Sequence, residues 1–251
     1  MPSFPPTILH FDSIDSTNLE VMRQAKGGAG EGLCIIAREQ TRGRGRLDRS
    51  WHSPKDAGLY LSIVLRPEFE LARWPLINLA AALAVHDAIF RTCESKVDIK
   101  WPNDICVHDR KLCGILAETV ETEIGLAAIV GIGINLHDED FPAELEPYAT
   151  SLRSVTGSEV NRDTLVNELL KALGERYEML RSDSGGEHTI REWCANSSYA
   201  FGRKVRVSLG DENFVGITRG LESDGALRVA IDERTVRTVR AGDVTALRAA
   251  N

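Results

Sequence analysis

The pattern of hydrophobic and polar positions divides the 251-residue chain into a long segment that mixes helices with strands and a short segment of strands alone. Apolar runs and period-two alternation predict strands in the long segment at residues 8–11, 33–37, 58–65, 97–101, 103–107, 111–120 and 126–136. Helical spacing predicts helices from residues 16–18 to 27, and at 76–90, 161–180 and 189–195. The links between the strands from 97 to 136 are too short for crossover helices, which predicts an antiparallel meander.

The first predicted helix has a sequence signal for its start. Thr17 followed by Glu20 fits a capping box, and Gly27 would end the helix. Ser16, Thr17 and Asn18 then crowd a helix N-terminus, where free backbone N–H groups point outward. These three residues are either plain caps or part of a binding site.

The short segment begins near Gly202. Alternating residues predict strands at 204–209, 214–218, 226–231, 235–239 and 244–247, with glycines in the turns. Five short strands in about fifty residues indicate a small barrel. The predicted fold class is α+β, with a mixed or antiparallel sheet and packed helices in residues 1–200 and a β-module in residues 201–251.

Composition narrows the class of protein. The chain is 43% hydrophobic and 27% charged, as is typical of soluble globular proteins, and no apolar run approaches the roughly 20 residues of a membrane span. The N-terminus does not resemble a secretory signal. The five cysteines form no C-x-x-C pair, which predicts buried free thiols and a reducing, cytoplasmic location. A net charge of −7 argues against general nucleic-acid binding.

Residues 38–51 carry the most concentrated charge. Five arginines stand against two acids, and Gly43 and Gly45 interrupt the run. Arginine is rarely buried unpaired, and each glycine would cost a helix about 1 kcal/mol. The stretch therefore predicts a mobile surface loop that gathers positive charge around exposed backbone N–H groups, and such loops bind anions. The alternative is a solvated run of charges.

A second group of polar residues lies on the predicted meander. Lys100, Asn103, Asp104 and Lys111 are expected to face a shared cleft, and the alternative is a solvated hairpin face. Glycine in the interior of a strand often marks the close approach of a ligand, which singles out Gly131-Ile132-Gly133. Trp51 ends the charged loop and is either a ligand platform or a core residue.

Several standard motifs are absent from the sequence. Gly43-x-Gly45-x-x-Asp48 has aspartate where the dinucleotide fingerprint needs a third glycine. Neither a G-x-x-x-x-G-K-[ST] phosphate loop nor a G-x-S-x-G elbow occurs. The six histidines show no metal-ligand spacing, so no metal site fixed by side-chain clusters is predicted.

Taken together, five segments resemble the biotin–protein ligase family in order and spacing. They are Asp15-Ser16-Thr17-Asn18, Gln40-Thr41-x-Gly43-Arg44-Gly45-Arg46-x-x-Arg49-x-Trp51-x-Ser53-Pro54, Lys100-Trp101-Pro102-Asn103-Asp104, Lys111-x-x-Gly114-Ile115-Leu116 and Gly131-x-Gly133-x-Asn135. The resemblance covers nearly the whole chain. It implies a class II synthetase-like ligase domain followed by an SH3-like barrel.

The resemblance also implies a two-step, AMP-forming reaction. Biotin and ATP give biotinyl-5′-AMP, with Mg²⁺ accompanying ATP, and a lysine of a biotin carboxyl carrier domain of a biotin-dependent carboxylase then takes the biotinyl group.

Asp48 departs from the family, which often has glycine there. Only about ten residues precede Phe11, so the chain resembles members without a DNA-binding domain, and no specific DNA binding and no membrane association are expected. A homodimer formed through sheet edges is possible in this family.

The resemblance assigns roles to individual residues, in three overlapping sets. The predicted catalytic residues are Arg44, Arg46, Lys111 and Asp104. The predicted biotin-binding residues are Ser16, Thr17, Asn18, Gln40, Gly43, Arg44, Lys111, Gly114, Gly131 and Gly133. The predicted ATP- or adenylate-binding residues are Arg46, Arg49, Trp51, Asn103, Lys111 and Asn135. Asp104 would orient the acceptor lysine, and residues 40–51 would form a lid that is loose until the adenylate binds.

Three competing functions remain open at this point. A lipoate–protein ligase shares the broad fold, but lipoate has no ureido ring to match the hydroxyl and amide groups. A biotin- or adenylate-binding sensor would not need Arg46, Asp104 and Lys111 together. A nucleic-acid binder is disfavoured by the net charge and by the isolated aromatic residues.

Overall fold

The computed structural model describes residues 6–139, 141–240 and 242–246, which form two sheets and five α-helices. The larger sheet contains β1 (Thr7–Phe11), β2 (Leu33–Ala37), β3 (Gly58–Leu65), β4 (Asp98–Lys100), β5 (Asp104–Val107), β6 (Arg110–Thr122) and β7 (Gly125–Asn135). Its strand order is β1-β2-β3-β7-β6-β5-β4. β1 pairs with β2 in parallel, and the other neighbours are antiparallel. The predicted strands and the antiparallel meander are confirmed.

Helices cover both faces of this sheet. They are α1 (Thr17–Lys26), α2 (Pro75–Cys93), α3 (Leu152–Thr156), α4 (Arg162–Arg181) and α5 (Gly185–Ala195). α2 lies in the main core, where buried residues such as Leu83 join Leu61 of β3 and Ile132 of β7, and α4 and α5 pack against it. α1 covers the opposite face through Val21 and Ala25. The predicted helices are confirmed, although α5 begins at Gly185 rather than at residue 189 and α3 was not predicted.

α2 corrects the expectation that no apolar run in the chain approaches the length of a membrane span. By length and composition this 19-residue helix could cross a membrane, and most of its apolar window is buried inside the protein. Its buried residues surround the helix axis rather than forming one stripe, because α2 packs against the sheet on one side and against α4 and α5 on the other.

The start of α1 differs from the predicted capping box. Ser16 is the N-cap and is extended (φ −159°, ψ 134°), but no side chain caps the helix. Glu20 instead accepts a bond from Arg23 Nε (2.7 Å) and one from Gln24 Nε2 (2.8 Å). The capping-box prediction is therefore wrong, and the side chains of Ser16 and Thr17 are free for other contacts.

The C-terminal sheet has five strands in the order β11-β10-β9-β8-β12. They are β8 (Phe201–Leu209), β9 (Glu212–Leu221), β10 (Leu227–Ala230), β11 (Val236–Val239) and β12 (Asp243–Ala246). The five predicted strands and the small β-structure are confirmed, except that Leu247 of the last predicted strand lies outside the described residues. Trp101 Nε1 donates to Gly225 O (3.0 Å) and joins the two sheets. The domain boundary at residue 201 stays a prediction.

The cysteines are free, as predicted. Cys34, Cys106 and Cys113 are buried, and Cys93 and Cys194 are partly buried. Burial raises the pKa of the Cys34 and Cys106 thiols to about 12, so both stay protonated at neutral pH. These thiols act as small apolar groups of the core.

Candidate active site

The candidate site lies on the α1 face of the large sheet, where the central strands carry glycine. Gly114 of β6 pairs with Gly133 of β7, and Gly131 of β7 lies between Leu116 and Ser62. A Cβ on Gly131 would lie 2.0 Å from Asn18 Oδ1, and a Cβ on Gly133 would lie 2.6 Å from Trp51 Nε1. Glycine is therefore required here, because the side chains of Asn18 and Trp51 rest directly on the backbone of the sheet.

A cavity of about 120 Å³ opens above these glycines. It is lined by most of the predicted site residues: Ser16, Thr17, Asn18, Gln40, Arg44, Arg46, Arg49, Trp51, Asn103, Asp104, Lys111, Gly114, Gly131 and Gly133. Its volume is small beside the roughly 300–1,000 Å³ of typical ligand pockets. Residues from five separate segments meet here, but the role of each stays a prediction.

A chain of neutral polar groups forms one end of the cavity. Gln40 Oε1 accepts bonds from Thr17 N (2.9 Å) and Thr17 Oγ1 (3.0 Å), and Gln40 Nε2 donates to Ser53 Oγ (2.9 Å). The hydroxyl of Ser62, which is fully buried on β3, lies 2.7 Å from Thr17 Oγ1 and 2.5 Å from Asn18 Oδ1. Ser16 is 1% exposed, and its hydroxyl makes no hydrogen bond within the described part of the chain. This end therefore holds neutral donors and acceptors in fixed places, with one hydroxyl still available.

The charged loop closes the other end and is folded rather than extended. Trp51 N donates to Gly43 O (2.9 Å), and Gly45 N donates to Arg49 O (2.7 Å), so the two arms form a narrow hairpin. A Cβ on Gly43 would lie 2.4 Å from Trp51 O, which explains this glycine by packing inside the hairpin. The looseness of this loop before an adenylate binds stays a prediction.

The tip of the hairpin explains the departure from the family pattern. Leu47 and Asp48 have φ values of 54° and 56°. Glycine adopts this left-handed conformation without strain, and aspartate tolerates it better than most residues. Asp48 therefore occupies a position that favours glycine for backbone reasons.

The arginines of the loop are paired with acceptors from distant parts of the chain. Arg44 donates through Nη1 and Nη2 to the two carboxylate oxygens of Glu118 on β6, at 3.0 Å each. Arg46 Nη1 lies 3.3 Å from both Asn103 Oδ1 and Gly242 O, and Arg49 forms an ion pair with Asp243 at the start of β12. Burial lowers the pKa of Arg46 from its ordinary value, although arginine remains charged at neutral pH.

Lys111 and Asp104 lie together in the lining of the cavity, beside Trp51. Lys111 Nζ lies 2.7 Å from Asp104 Oδ1 and 5.2 Å from the centre of the Trp51 ring. The Trp51 Nε1 atom is buried without a hydrogen-bond partner among the described residues. Asn103 Nδ2 donates to Ile115 O (2.7 Å), which fixes the turn that presents Asp104.

Three predicted residues do not line the cavity: Gly43, which packs inside the hairpin, Lys100 and Asn135. Lys100 does not share the cleft, since its Nζ lies 5.9 Å from the ring of Tyr199 near the C-terminal sheet. Asn135 is buried and donates to Thr150 O (3.0 Å), so it joins β7 to the segment before α3 and does not line the cavity. Lys100 pairs in register with Asp104 and therefore shares its face of the sheet, but β4 is the edge strand, so Lys100 lies beyond the cavity. The prediction of a cleft shared by Lys100 is wrong, and Asn135 is better placed to support the fold than to bind adenylate.

Three residues at the site were not predicted from the sequence: Ser62, Glu118 and Asp243. Glu118 could have been found, since it follows Gly114 and Leu116 at period two and must face the same side of the sheet. Ser62 is the polar member of an otherwise apolar strand, LSIVL, but its place opposite Gly131 depends on strand register. Asp243 reaches the site only because of how the C-terminal sheet docks, which no local pattern encodes.

The arrangement suits a substrate that is neutral and polar at one end and anionic at the other. Arg44, Arg46, Arg49 and Lys111 surround the anionic end, and Asp104 contacts the lysine. No group of three or more His, Cys, Asp or Glu residues that could hold a metal ion occurs within 6–139, 141–240 and 242–246. A mixed sheet with a glycine-lined floor and a cationic hairpin is suited to an enzyme that binds a small anionic substrate.

Comparison with known proteins identifies the family. The profile described as "Biotin/lipoate A/B protein ligase family" matches residues 10–135, and the profile described as "Biotin protein ligase C terminal domain" matches residues 200–245. The chain belongs to the biotin/lipoate A/B protein ligase family, and the second match places it among the biotin protein ligases.

Individual relatives agree with this assignment. The chain is 34% identical over 239 residues to the Biotin--[acetyl-CoA-carboxylase] ligase of Mycobacterium tuberculosis, covering 93% of this chain and 86% of that protein. It is 33% identical over 229 residues to the Bifunctional ligase/repressor BirA of Bacillus subtilis, covering 90% and 70% respectively. The biotin protein ligase of Aquifex aeolicus, solved in complex with biotin and ATP, superposes with a TM-score of 0.83 at 29% identity, covering 98% of this chain and 100% of that one.

Proposed function

We propose that this chain activates biotin with ATP and transfers the biotinyl group to a lysine of a biotin carboxyl carrier domain. In the first step, a biotin carboxylate oxygen attacks the α-phosphorus of ATP and pyrophosphate leaves. In the second, the lysine amine attacks the carbonyl carbon of biotinyl-5′-AMP, AMP leaves, and the amine loses a proton. The observation that carries the proposal is one cavity that joins a neutral polar end to a cationic end.

The neutral end is proposed to recognise the biotin ring. The ureido group offers two N–H donors and one carbonyl, and the free Ser16 hydroxyl, Thr17 and Gln40 offer matching groups. A site built to bond a polar group rejects an analogue lacking it by about 10⁴–10⁵, whereas an apolar pocket separates analogues by only about 10–200-fold. Lipoate, which lacks the ureido group, would leave these buried groups unpaired.

The cationic end is proposed to hold the phosphates and the biotin carboxylate. Two unit charges of the same sign 4 Å apart repel by about 4 kcal/mol at an effective dielectric near 20. Arg44, Arg46, Arg49 and Lys111 would offset this repulsion, with Mg²⁺ arriving as part of the MgATP substrate. Charge stabilisation by groups already in place is the main catalytic device.

Trp51 and Asn103 are proposed to contact the adenosine part of the intermediate. Trp51 presents a flat ring above Gly133, and its buried Nε1 has no acceptor in the described structure. A polar ligand atom that reached this N–H group would remove the cost of leaving it unpaired.

Asp104 is proposed to guide the acceptor lysine. An ammonium of ordinary pKa 10.4 is only about 0.04% neutral at pH 7, so it must lose its proton on approach. Asp104 Oδ1 already forms an ion pair with the ammonium of Lys111, with 2.7 Å between the two atoms, and this pair supports the proposal that an ammonium can lie beside the carboxylate. We expect Asp104→Asn to slow transfer to the carrier more than adenylate formation, and equal losses in both half-reactions would contradict this role.

Incubation of the protein with MgATP, a carrier domain and labelled biotin or labelled lipoate tests the proposal. We expect label on the carrier lysine from biotin and not from lipoate. Label from lipoate alone would favour the related ligase, and no label with a carrier accepted by another biotin ligase would reject the function. The cytoplasmic location and a homodimer stay predictions.

A further inference from the structure

Glu118 occupies a position behind the predicted substrate cavity. It lies on β6, two residues beyond Leu116 and four beyond Gly114, on the same side of the sheet. Its side chain is 23% exposed. It lines a second cavity of about 600 Å³, and Arg46 lines both cavities. The carboxylate is therefore close to the reaction site without lining it.

This carboxylate holds two groups that do line the substrate cavity. Arg44 donates two bonds to it, each 3.0 Å long, and Asn18 Nδ2 donates a third, also 3.0 Å long. Arg44 comes from the hairpin, 74 residues earlier in the chain, and Asn18 comes from α1, 100 residues earlier. Glu118 thus connects the cationic end of the site to the neutral end.

We infer that Glu118 is a positioning residue, which aligns the guanidinium of Arg44 with the anionic part of the adenylate and anchors Asn18 under the biotin ring. This inference rests on the proposed function. A guanidinium has five N–H donors, and the pairing with Glu118 uses two of them, so three remain for carboxylate or phosphate oxygens. Two parallel bonds also fix the plane of the guanidinium, which a single contact would not do.

The alternative is an ion pair that only supports folding. Two observations favour positioning instead. Arg44 and Asn18 are both wall residues of the cavity, and Asn18 is also fixed by Ser62 and by the backbone of Gly131. The contacts of Glu118 therefore determine where two ligand-facing groups lie.

Glu118→Gln tests this role, with Glu121→Gln, an exposed glutamate of the same strand, as the matched control. Glutamine has one acceptor oxygen and an NH₂ group that opposes the second guanidinium N–H. We expect kcat for biotin-dependent exchange of pyrophosphate into ATP to fall about 10- to 100-fold, because one transition-state donor is misplaced. KM for ATP should change less than about threefold, and Glu121→Gln should match the wild type.

A double variant separates positioning from folding. If Glu118 affects kcat through Arg44, adding Glu118→Gln to Arg44→Ala should lower kcat no further than Arg44→Ala alone, and the loss of the Asn18 contact should appear in KM for biotin instead. The urea midpoint of each variant reports stability in the same samples. Independent, multiplying losses in kcat, or a kcat for folded Glu118→Gln within about twofold of the wild type, would overturn the inference.

Two further measurements keep the test decisive. Arg44→Lys keeps the charge but cannot form two parallel bonds, so it should reproduce the loss in kcat even if Glu118→Gln folds poorly. Trypsin cleavage of the ligand-free hairpin should be faster in Glu118→Gln than in Glu121→Gln, whatever reaction the protein catalyses. Absence of exchange in the wild type would reject the proposed function, whereas equal cleavage in the two variants would reject the pairing itself.

Discussion

The two ends of the site are built in different ways. The neutral end is formed by residues on α1, β3 and the start of the hairpin, and its groups are buried and bonded to one another. The cationic end is formed by hairpin arginines that depend on Glu118 and Asp243, and the ion pairs there are partly exposed. Buried neutral groups favour selectivity, because a ligand that breaks their mutual hydrogen bonds without replacing them leaves the groups unpaired. The exposed pair of Arg49 with Asp243 is individually weak, so Arg49 can bind and release a phosphate, whereas two parallel bonds to Glu118 hold Arg44 in place.

The largest expected effect is at the cationic end. Lys111→Ala removes a charge that lies 2.7 Å from Asp104 and next to Trp51. We expect kcat for adenylate formation to fall about 100- to 1,000-fold, as for the loss of one positioned donor in other enzymes. The measurement is pyrophosphate exchange at saturating biotin. Lys171→Ala, on the exposed side of α4, should leave kcat unchanged, and a fall of less than about fivefold for Lys111→Ala would contradict the role.

A smaller effect is expected at the neutral end, and it should appear in binding. Thr17→Val keeps the shape of the side chain but removes the hydroxyl that bonds Gln40 and Ser62. An unpaired buried group costs about 1–3 kcal/mol, which corresponds to about 5- to 150-fold weaker biotin binding. Calorimetric titration with biotin measures this change, and Thr7→Val on exposed β1 is the control. A loss of kcat at unchanged affinity for biotin would contradict the prediction that the neutral end acts in binding and the cationic end in catalysis.

A weaker effect is expected for the contact between the hairpin and the C-terminal sheet. Asp243→Asn removes the charge that pairs with Arg49, whose side chain is 64% exposed. Such pairs are worth about 0.2–1 kcal/mol, so tryptic cleavage of the ligand-free hairpin should rise no more than about fivefold. The control variant Asp211→Asn, in the exposed turn between β8 and β9, should be cleaved by trypsin at the wild-type rate. Unchanged cleavage would mean that this sheet does not hold the hairpin.

The smallest effect is expected at the hairpin tip. Asp48→Gly replaces a residue at φ 56° with one that adopts this conformation freely. The gain is offset by the greater freedom of glycine in the unfolded chain, so the free energy of unfolding should change by less than about 1 kcal/mol. Chemical denaturation measures it, and adenylate formation should stay within about twofold. A large loss of activity would show that the carboxylate of Asp48 has a role beyond the backbone.

The sequence was informative where chemistry and local spacing coincide. The hairpin arginines, Lys111, Asp104 and the glycines of the cavity floor (Gly114, Gly131 and Gly133) could be named before the fold was known, because unpaired charges and glycines inside strands are costly in an ordinary core. The capping box failed because Glu20 has a closer partner in Arg23, and local signals do not rank competing partners. Glu118 and Ser62 depended on strand register, and Asp243 depended on the docking of a second sheet, which hydrophobic patterns do not encode.

The measurement that tests the central claim most directly is the capture of the intermediate. The wild-type protein would be incubated with biotin and MgATP without any carrier, separated rapidly from free ligands, and analysed by mass spectrometry. One cavity with a neutral and a cationic end predicts about one equivalent of biotinyl-5′-AMP bound to the protein, and none when lipoate replaces biotin. Bound biotin and ATP without the adenylate, or the same yield of adenylate from lipoate, would contradict the account.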